Sequence, residues 1–273
     1  MQLPLLLPVY SASQLAKKFF KYYLSASNSK GHGIHSPFVF DFVKHVKNDT
    51  NKYACYANIE ELRAVVLKDK TVIEVEDFGA GSTVIKTNKR RVNKIAASSL
   101  KPKKFAQLLF RMVQFYQPNT ILELGTSFGI SSAYLALGHK QVNLYTLEGA
   151  ISIAAIARKN FDILALKNIE LIHGDFDTTL PKLLQNISGI DMAFIDGNHR
   201  KAPTLKYFKQ LLEKSTDTTI LIFDDIHWSK EMEEAWQEIK ENGKVTLTID
   251  LFFIGIVFLR KDFLKKQHFS IRF

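Results

Sequence analysis

The rhythm of hydrophobic and polar positions changes near residue 100. From about residue 119, short apolar runs alternate with longer amphipathic ones in a fixed order. "TILELG" (120–125) is an apolar run of strand length ending in glycine, and "ISSAYLALG" (130–138) is a small-residue helix that stops at Gly138. The couple recurs as "VNLYTLE" with "SIAAIARKNFDILAL", "IELIHGD" with "FDTTLPKLLQNI", "IDMAFIDG" with "KAPTLKYFKQLLEK", and "TTILIFDD" with "SKEMEEAWQEIKEN". In the last of these helices Met232, Ala235, Trp236 and Ile239 fall at i, i+3, i+4 and i+7, behind a Ser229 cap and an acidic first turn. "KVTLTID" and "FFIGIVFLR" then follow with no helix between them. Five strand–helix units closed by two strands predict an α/β fold: a doubly wound, seven-stranded, mostly parallel sheet with an antiparallel final hairpin.

Residues 1–100 lack this alternation. "SASQLAKKFFKYYLSA", "PFVFDFVKHVKN" and "NIEELRAVVLKD" read as three helices, with the Gly/His-rich turn "SKGHGIHSP" between the first two. The division expected is a helical, substrate-covering cap over 1–100 and a core over 101–273. His32 and His35 in the turn have no adjacent cysteine or carboxylate, which favours hydrogen bonding over metal ligation, although they can face the active site from the cap.

Two glycine loops compete for a ligand, "DFGAGS" (77–82) and "ELGTSFG" (123–129). Context separates them. In a doubly wound sheet, ligands bind beyond the carboxyl ends of the strands, and "ILELGTSFGISSAYL" supplies strand, glycine turn and helix in order. Nineteen residues after Gly129 stands Glu148, at the end of the next strand, where a carboxylate accepts both ribose hydroxyls. The spacing between Gly125 and Gly129 is G-x-x-x-G, without the pyrophosphate cradle of G-x-G-x-x-G. A nucleoside cofactor without phosphates therefore fits, such as S-adenosylmethionine, with Thr126 and Ser127 at its amino acid end. "DFGAGS" leads only into the basic "TVIKTNKRRVNK", and no "HRD" loop precedes it to support a kinase reading. It is assigned to the cap, either as a loop over the acceptor or as a surface turn.

On these motifs, residues 101–259 resemble a class I S-adenosylmethionine-dependent methyltransferase of the O-methyltransferase type, akin to catechol and caffeoyl-CoA methyltransferases. "ELGTSFG" with Glu123 is the first motif, "LEG" brings Glu148 and Gly149 to the ribose, and "HGDF" brings Gly174, Asp175 and Phe176 towards the adenine. "FIDGNH" and "FDD" complete the set after the fourth and fifth strands. The resemblance implies a Rossmann-like core, with Asp175 bonding the adenine amino group and Phe176 bordering its ring. It leaves a homodimer open.

Methyl transfer to a hydroxyl requires alignment and removal of a proton, by a general base or with help from a divalent cation. Asp196 ends the fourth strand, and Asp224 and Asp225 end the fifth, which brings three carboxylates to one sheet edge, a donor set suited to Mg²⁺. The metal-dependent relatives hold Asp, Asp and Asn there, so this set is more acidic. The alternative is that Asp224 or Asp225 caps the helix beginning near Ser229. His199, three residues after Asp196 and where catechol-type relatives carry lysine, is the candidate base, with Asp196 as its catalytic partner; a hydrogen-bonded loop histidine is the alternative. His227 and Trp228 are candidates to line the acceptor pocket, with packing as the alternative for Trp228.

Composition adds limits. The 273 residues are 46% hydrophobic and 23% charged, as in a folded protein with a sizeable core, and Cys55 is the single cysteine, which excludes a disulfide framework. "MQLPLLLPVY" lacks a basic leader and is broken by Pro4 and Pro8, and no apolar run approaches the ~20 residues of a membrane span. A cytoplasmic setting is expected. The formal charge is +10, and Phe78 to Leu122 holds no acidic residue but many basic ones, among them Lys86, Lys101, Lys104 and Arg111. Such a block suits an anionic small-molecule acceptor or is a solvated surface. Nucleic acid is not favoured, because aromatic side chains do not interleave with the charges. The C-terminal "RKDFLKKQHFSIRF" reads as a basic, aromatic tail docked on the core. An RNA or protein methyltransferase and a non-catalytic cofactor-binding protein of the same fold are the rival functions; "DGNH" after the fourth strand argues against base N-methylation.

Overall fold

The computed structural model describes residues 9–27, 35–75 and 88–273, so "DFGAGS", His32 and Lys86 lie outside the described residues. The N-terminal part contains α1 (Ala12–Ser25), α2 (Pro37–Asp41) running into a π-helical segment (Phe42–Lys47), and α3 (Cys55–Lys68). A short antiparallel ribbon of β1 (Val72–Glu74) and β2 (Lys89–Arg91) follows, then α4 (Val92–Ser99) and α5 (Lys103–Tyr116). The ribbon and α4 are elements that the polar, basic text around them had hidden. Next come β3 (Thr120–Leu124), α6 (Ile130–Leu137), β4 (Asn143–Glu148), α7 (Ile151–Ile163), β5 (Ile169–His173) and α8 (Phe176–Asn186). The series ends with β6 (Ile190–Ile195), α9 (Lys201–Glu213), β7 (Ser215–Asp224), α10 (Lys230–Glu241), β8 (Leu247–Asp250), β9 (Ile254–Phe258) and β10 (Gln267–Ser270).

The main sheet has the order β10-β8-β9-β7-β6-β3-β4-β5, and β9 alone of its strands runs against both its neighbours. This is the doubly wound sheet with its antiparallel closing hairpin, but with eight strands instead of seven. The extra strand comes from the tail: Gln267–Ser270 pairs in parallel with Leu247–Asp250 and adds an edge. Its alternating half-buried and exposed residues carry no buried apolar run, which is why the segment read as a docked tail.

Strand residues alternate between two cores. Ile121, Met192, Phe194, Ile220 and Ile222 face α5 and the α2–π segment, where Leu108, Leu109, Met112, Val39 and Phe42 are buried. Leu122, Leu124, Ala193, Ile195, Leu221 and Phe223 face the other way, onto side chains of α8, α9 and α10. A parallel sheet covered on both faces needs such near-continuous apolar strands. A third core joins Ile59, Leu62 and Val66 of α3 and Ile95 of α4 to Phe110, Ala133 and Tyr134, so the N-terminal segment packs into the body of the molecule. α1 is fastened at the far edge: Tyr10 and Lys18 bond Glu233 of α10, and Tyr22 donates to the Ile271 carbonyl.

In α10, Met232, Ala235, Trp236 and Ile239 are all buried, and Ser229 accepts the Met232 N–H at 3.2 Å as its cap. Ile239→Ala is expected to cost about 2–5 kcal/mol in urea unfolding, whereas the exposed Gln237→Ala stays within about 0.5 kcal/mol.

Candidate active site

Strand order reverses between β3 and β6, and the glycine turn opens at that point. At Gly125, φ is +104°, and a Cβ there would lie 2.2 Å from the Asp196 carbonyl oxygen, so the turn closes against the loop after β6. The N–H groups of Gly125 and Thr126 donate to Leu147 O at 3.0 and 3.2 Å, which fastens the turn to β4. Gly129, at φ +80°, precedes α6 with the Phe161 ring where a Cβ would stand. No side chain could replace either glycine without moving backbone or ring.

A polar network lies beneath the turn. Glu123 is fully buried; Ser132 and Thr146 both donate to its Oε2, the latter at 2.7 Å, and the hydroxyl of Thr146 meets that of Thr126 at 2.6 Å. Its Oε1 has no protein partner, and burial pushes the carboxyl up to about 7. Glu148, at the end of β4, accepts the Ser127 N–H on Oε2 at 2.8 Å and the Ala150 N–H on Oε1 at 3.0 Å. Burial raises its pKa, and these amide bonds oppose the rise. Gly149 O meets His173 Nε2 at 3.0 Å, and Gly174, at φ +141°, donates its N–H to Glu148 O at 2.9 Å. Asp175 precedes α8 and accepts the Thr178 hydroxyl at 3.3 Å. Phe176 stands edge-on to Tyr207 and lies against Gly197, where a Cβ would be 2.6 Å from its ring. Thus Glu148 joins the ends of β3, β4 and β5, through Ser127 on one side and Gly174 on the other.

The second half of the site arises from sheet register. Met192 and Phe194 pair with Ile220 and Ile222 across parallel strands, so the next residues on that face are Asp196 and Asp224. Asp224 is 1% exposed. Burial and the neighbouring Asp224 hold Asp196 well above the usual carboxyl range, against the pull of Lys101. Asp225 turns away at φ +53°; its N–H donates to Phe253 O at 2.6 Å, and burial with Asp224 beside it pushes its carboxyl up to about 7. His199 Nε2 stands 3.5 Å from Asp196 Oδ1. Burial lowers its pKa, Asp224 opposes and Lys101 reinforces, so the shift favours the neutral ring.

Lys101 is the residue that sequence reasoning missed here. Its ammonium lies 3.4 Å from Asp196 Oδ2 and in direct contact with Asp224 Oδ2. Burial disfavours its charge, but Asp196, Asp224 and Asp225 together outweigh that and raise its pKa. In the sequence it was one lysine of a basic block, and no local signal distinguished it. Two others of that block also have internal roles: Arg111 donates to Val46 O at 2.7 Å, and Lys104 lies 4.0 Å over the Phe273 ring.

The expected metal set of Asp196, Asp224 and Asp225 does not form. Among the described residues, the side chains whose ligand atoms converge within 4.8 Å are Asp196, His199 and Asp224. Oxygens of this kind suit Mg²⁺ by chemistry, but the Lys101 ammonium already bridges Asp196 and Asp224, and a divalent ion between them would meet that charge at contact distance. The site as folded does not fit a divalent cation. Neither aspartate caps α10, because Ser229 does so. His227 is held between Glu233 at 3.2 Å and Asp250 at 2.8 Å and stacks on Phe252, so it braces the fold instead of lining a pocket. Trp228 is 38% exposed, and its backbone pairs with Tyr10. His35 lines a surface hollow with Pro37, Phe40 and Asp41, and it is not among the side chains that converge at Asp196.

Strand order, a glycine turn at the reversal and acidic strand ends together define a class I methyltransferase fold. Residues 122–226 match the family described as a methyltransferase domain. No curated protein sequence matches the chain. Solved structures do. The O-methyltransferase of Bacillus cereus in complex with SAH is 20% identical, with 79% of this chain and 95% of that one covered, at a TM-score of 0.55. The SAH-bound methyltransferase PaMTH1 of Podospora anserina is 14% identical over 95% and 100% of the two chains, at 0.58. The O-methyltransferase TomG of Streptomyces achromogenes, in complex with SAM, is 19% identical over 59% and 82%, at 0.51. At these identities the likeness is one of fold. Among the described residues, no helix is long and apolar enough to cross a membrane.

Two outcomes follow from the turn. Gly125→Ala meets both the left-handed φ and the Asp196 carbonyl, and is expected to lose at least about 2 kcal/mol in chemical unfolding. Glu123 has a folded pKa raised from 4.5 to about 7, so the native state holds the extra proton and stability falls as pH rises between those values. Glu123→Gln should flatten that fall, which is on the order of 3 kcal/mol, in thermal melts from pH 4.5 to 8.

Proposed function

We propose that this chain transfers the methyl group of S-adenosylmethionine to a hydroxyl oxygen of a small molecule. The observation that carries this is Glu148: a half-buried carboxylate at the end of β4 whose two oxygens each accept one loop amide, from Ser127 and Ala150, beside the glycine turn. Its remaining lone pairs suit the two ribose hydroxyls. The unpartnered, buried Glu123 Oε1 is a second point of fit, an acceptor beneath the turn for the positively charged amino acid end or for a water bound to it. Gly125, Thr126, Ser127 and Gly129 shape the turn that holds that end. Gly149, Gly174, Asp175, Phe176 and the backbone of Asp196 border the nucleoside.

When bound, the donor supplies an electrophilic methyl group on a sulfonium. The chain's own task is to align the acceptor hydroxyl and remove its proton. His199 is the base that takes that proton, since burial favours its neutral ring, and Asp196 Oδ1, 3.5 Å from its Nε2, orients the imidazole. The N-terminal residues 1–100 act as a cover over the acceptor, supported by the reach of the α4–α5 linker into the site through Lys101. Exposed Lys94 and Lys103 flank that linker and favour an acceptor with negative charge. A cytoplasmic setting suits Cys55, a free thiol.

Calorimetry with S-adenosylhomocysteine tests the donor assignment: wild-type protein binds, and Glu148→Ala weakens binding at least about tenfold. Absence of binding to the wild type overturns it. For the base, release of S-adenosylhomocysteine in a pool of hydroxylated metabolites should rise with pH through an apparent pKa below 6.5, because burial favours the neutral ring. His199→Gln should lower the rate about 10²-fold and remove that limb.

A further inference from the structure

Asp196 and Asp224 end neighbouring strands in register, so the sheet sets two carboxylates side by side and one of them is almost wholly buried. Two carboxylates so placed repel each other unless a cation stands between them. Lys101 stands there with its side chain 11% exposed.

The backbone that carries Lys101 is fixed from both sides. Arg63 of α3, itself buried, donates Nη1 to the Lys101 carbonyl oxygen at 2.7 Å. Arg63 is held in turn by Glu60 at 3.0 Å, and Glu60 accepts the Tyr134 hydroxyl at 2.8 Å. Two residues earlier, the Ser99 and Ser127 hydroxyls meet at 2.8 Å and tie the same linker to the glycine turn. Pro102 follows at φ −53° and restricts the backbone on the other side. An ordinary surface lysine has none of these constraints. Arg63, the Ser99–Ser127 contact and Pro102 hold this one so that its ammonium falls between the two strand ends.

We propose that Lys101 is the resident cation of the acceptor site: a side-chain ammonium that takes the place of a divalent ion between Asp196 and Asp224, positions both carboxylates beside His199, and removes the requirement for a metal. This rests on the methyltransferase reading above and deepens it. Lys101 is a positioning residue, since it acts through the carboxylates it holds.

Metal binding and donor binding, measured separately, test the idea. Mn²⁺ is titrated by electron paramagnetic resonance, and S-adenosylhomocysteine by calorimetry in EDTA. Wild-type protein should bind S-adenosylhomocysteine unaffected by EDTA and show no site for Mn²⁺. Lys101→Met, which leaves the carboxylates without their cation, should bind Mn²⁺ at least about tenfold more tightly than wild type, and Lys101→Arg should not. A purely packing role for Lys101 would not create a metal site. Should Lys101→Met fail to fold in circular dichroism, the wild-type titration still decides. Stoichiometric Mn²⁺ binding by wild type, abolished in Asp224→Asn with donor binding intact, overturns the proposal and leaves the methyltransferase reading standing. Loss of donor binding in the wild type would instead overturn that reading.

Discussion

Two strand ends in register govern the part of the site that holds Asp196, His199 and Asp224. Parallel pairing of β6 with β7 fixes Asp196 and Asp224 on one face at neighbouring ends, and no local change in either loop can separate them. Like charges at that separation in a buried setting cost several kcal/mol unless compensated. The Lys101 ammonium supplies the compensation from a linker more than ninety residues away in sequence. At His199, burial and the lysine disfavour the protonated form while Asp224 opposes them.

The part of the site around the glycine turn uses a different device. The glycine turn is anchored by main-chain bonds to Leu147 and by a hydroxyl network of Ser132, Thr146 and Thr126 around the fully buried Glu123. This network sits on a sheet face that is otherwise apolar, with Ile121 beside it in β3. A half-satisfied polar cluster in such a place carries a stability cost, which is why its free oxygen points to a ligand or a bound water. Glu148 belongs to the same construction, since the amides that hold its carboxylate also hold the turn in shape.

The N-terminal third joins both halves through packing. α3 and α4 share a core with α5 and α6, and from that core Arg63 and Ser99 reach the linker bearing Lys101 and the turn at Ser127. Farther round the sheet, α1 is fastened by Glu233, which also receives Tyr10, Lys18 and His227. These contacts make the segment part of the body of the protein. Fold and site rest on one continuous set of contacts.

Periodicity alone determined the core of the architecture. The short apolar runs "MAFI" at 192–195 and "ILIF" at 220–223, set in a repeating strand–helix alternation, read as covered parallel strands, and the stripe of Met232, Ala235, Trp236 and Ile239 marks a helix lying on them. The glycine turn and the carboxylate beside it were legible too, because they are local in sequence: a turn directly after a strand, and a carboxylate at the end of the next. The eighth strand, the β1–β2 ribbon and the partner of the carboxylates were not. β10 and the ribbon owe their conformation to neighbouring chain segments, not to an apolar pattern of their own. Lys101 differs from the other lysines of its block only by where α3, α5 and the glycine turn place it. Charge identity is written in the sequence, but charge proximity across ninety residues is decided by tertiary packing.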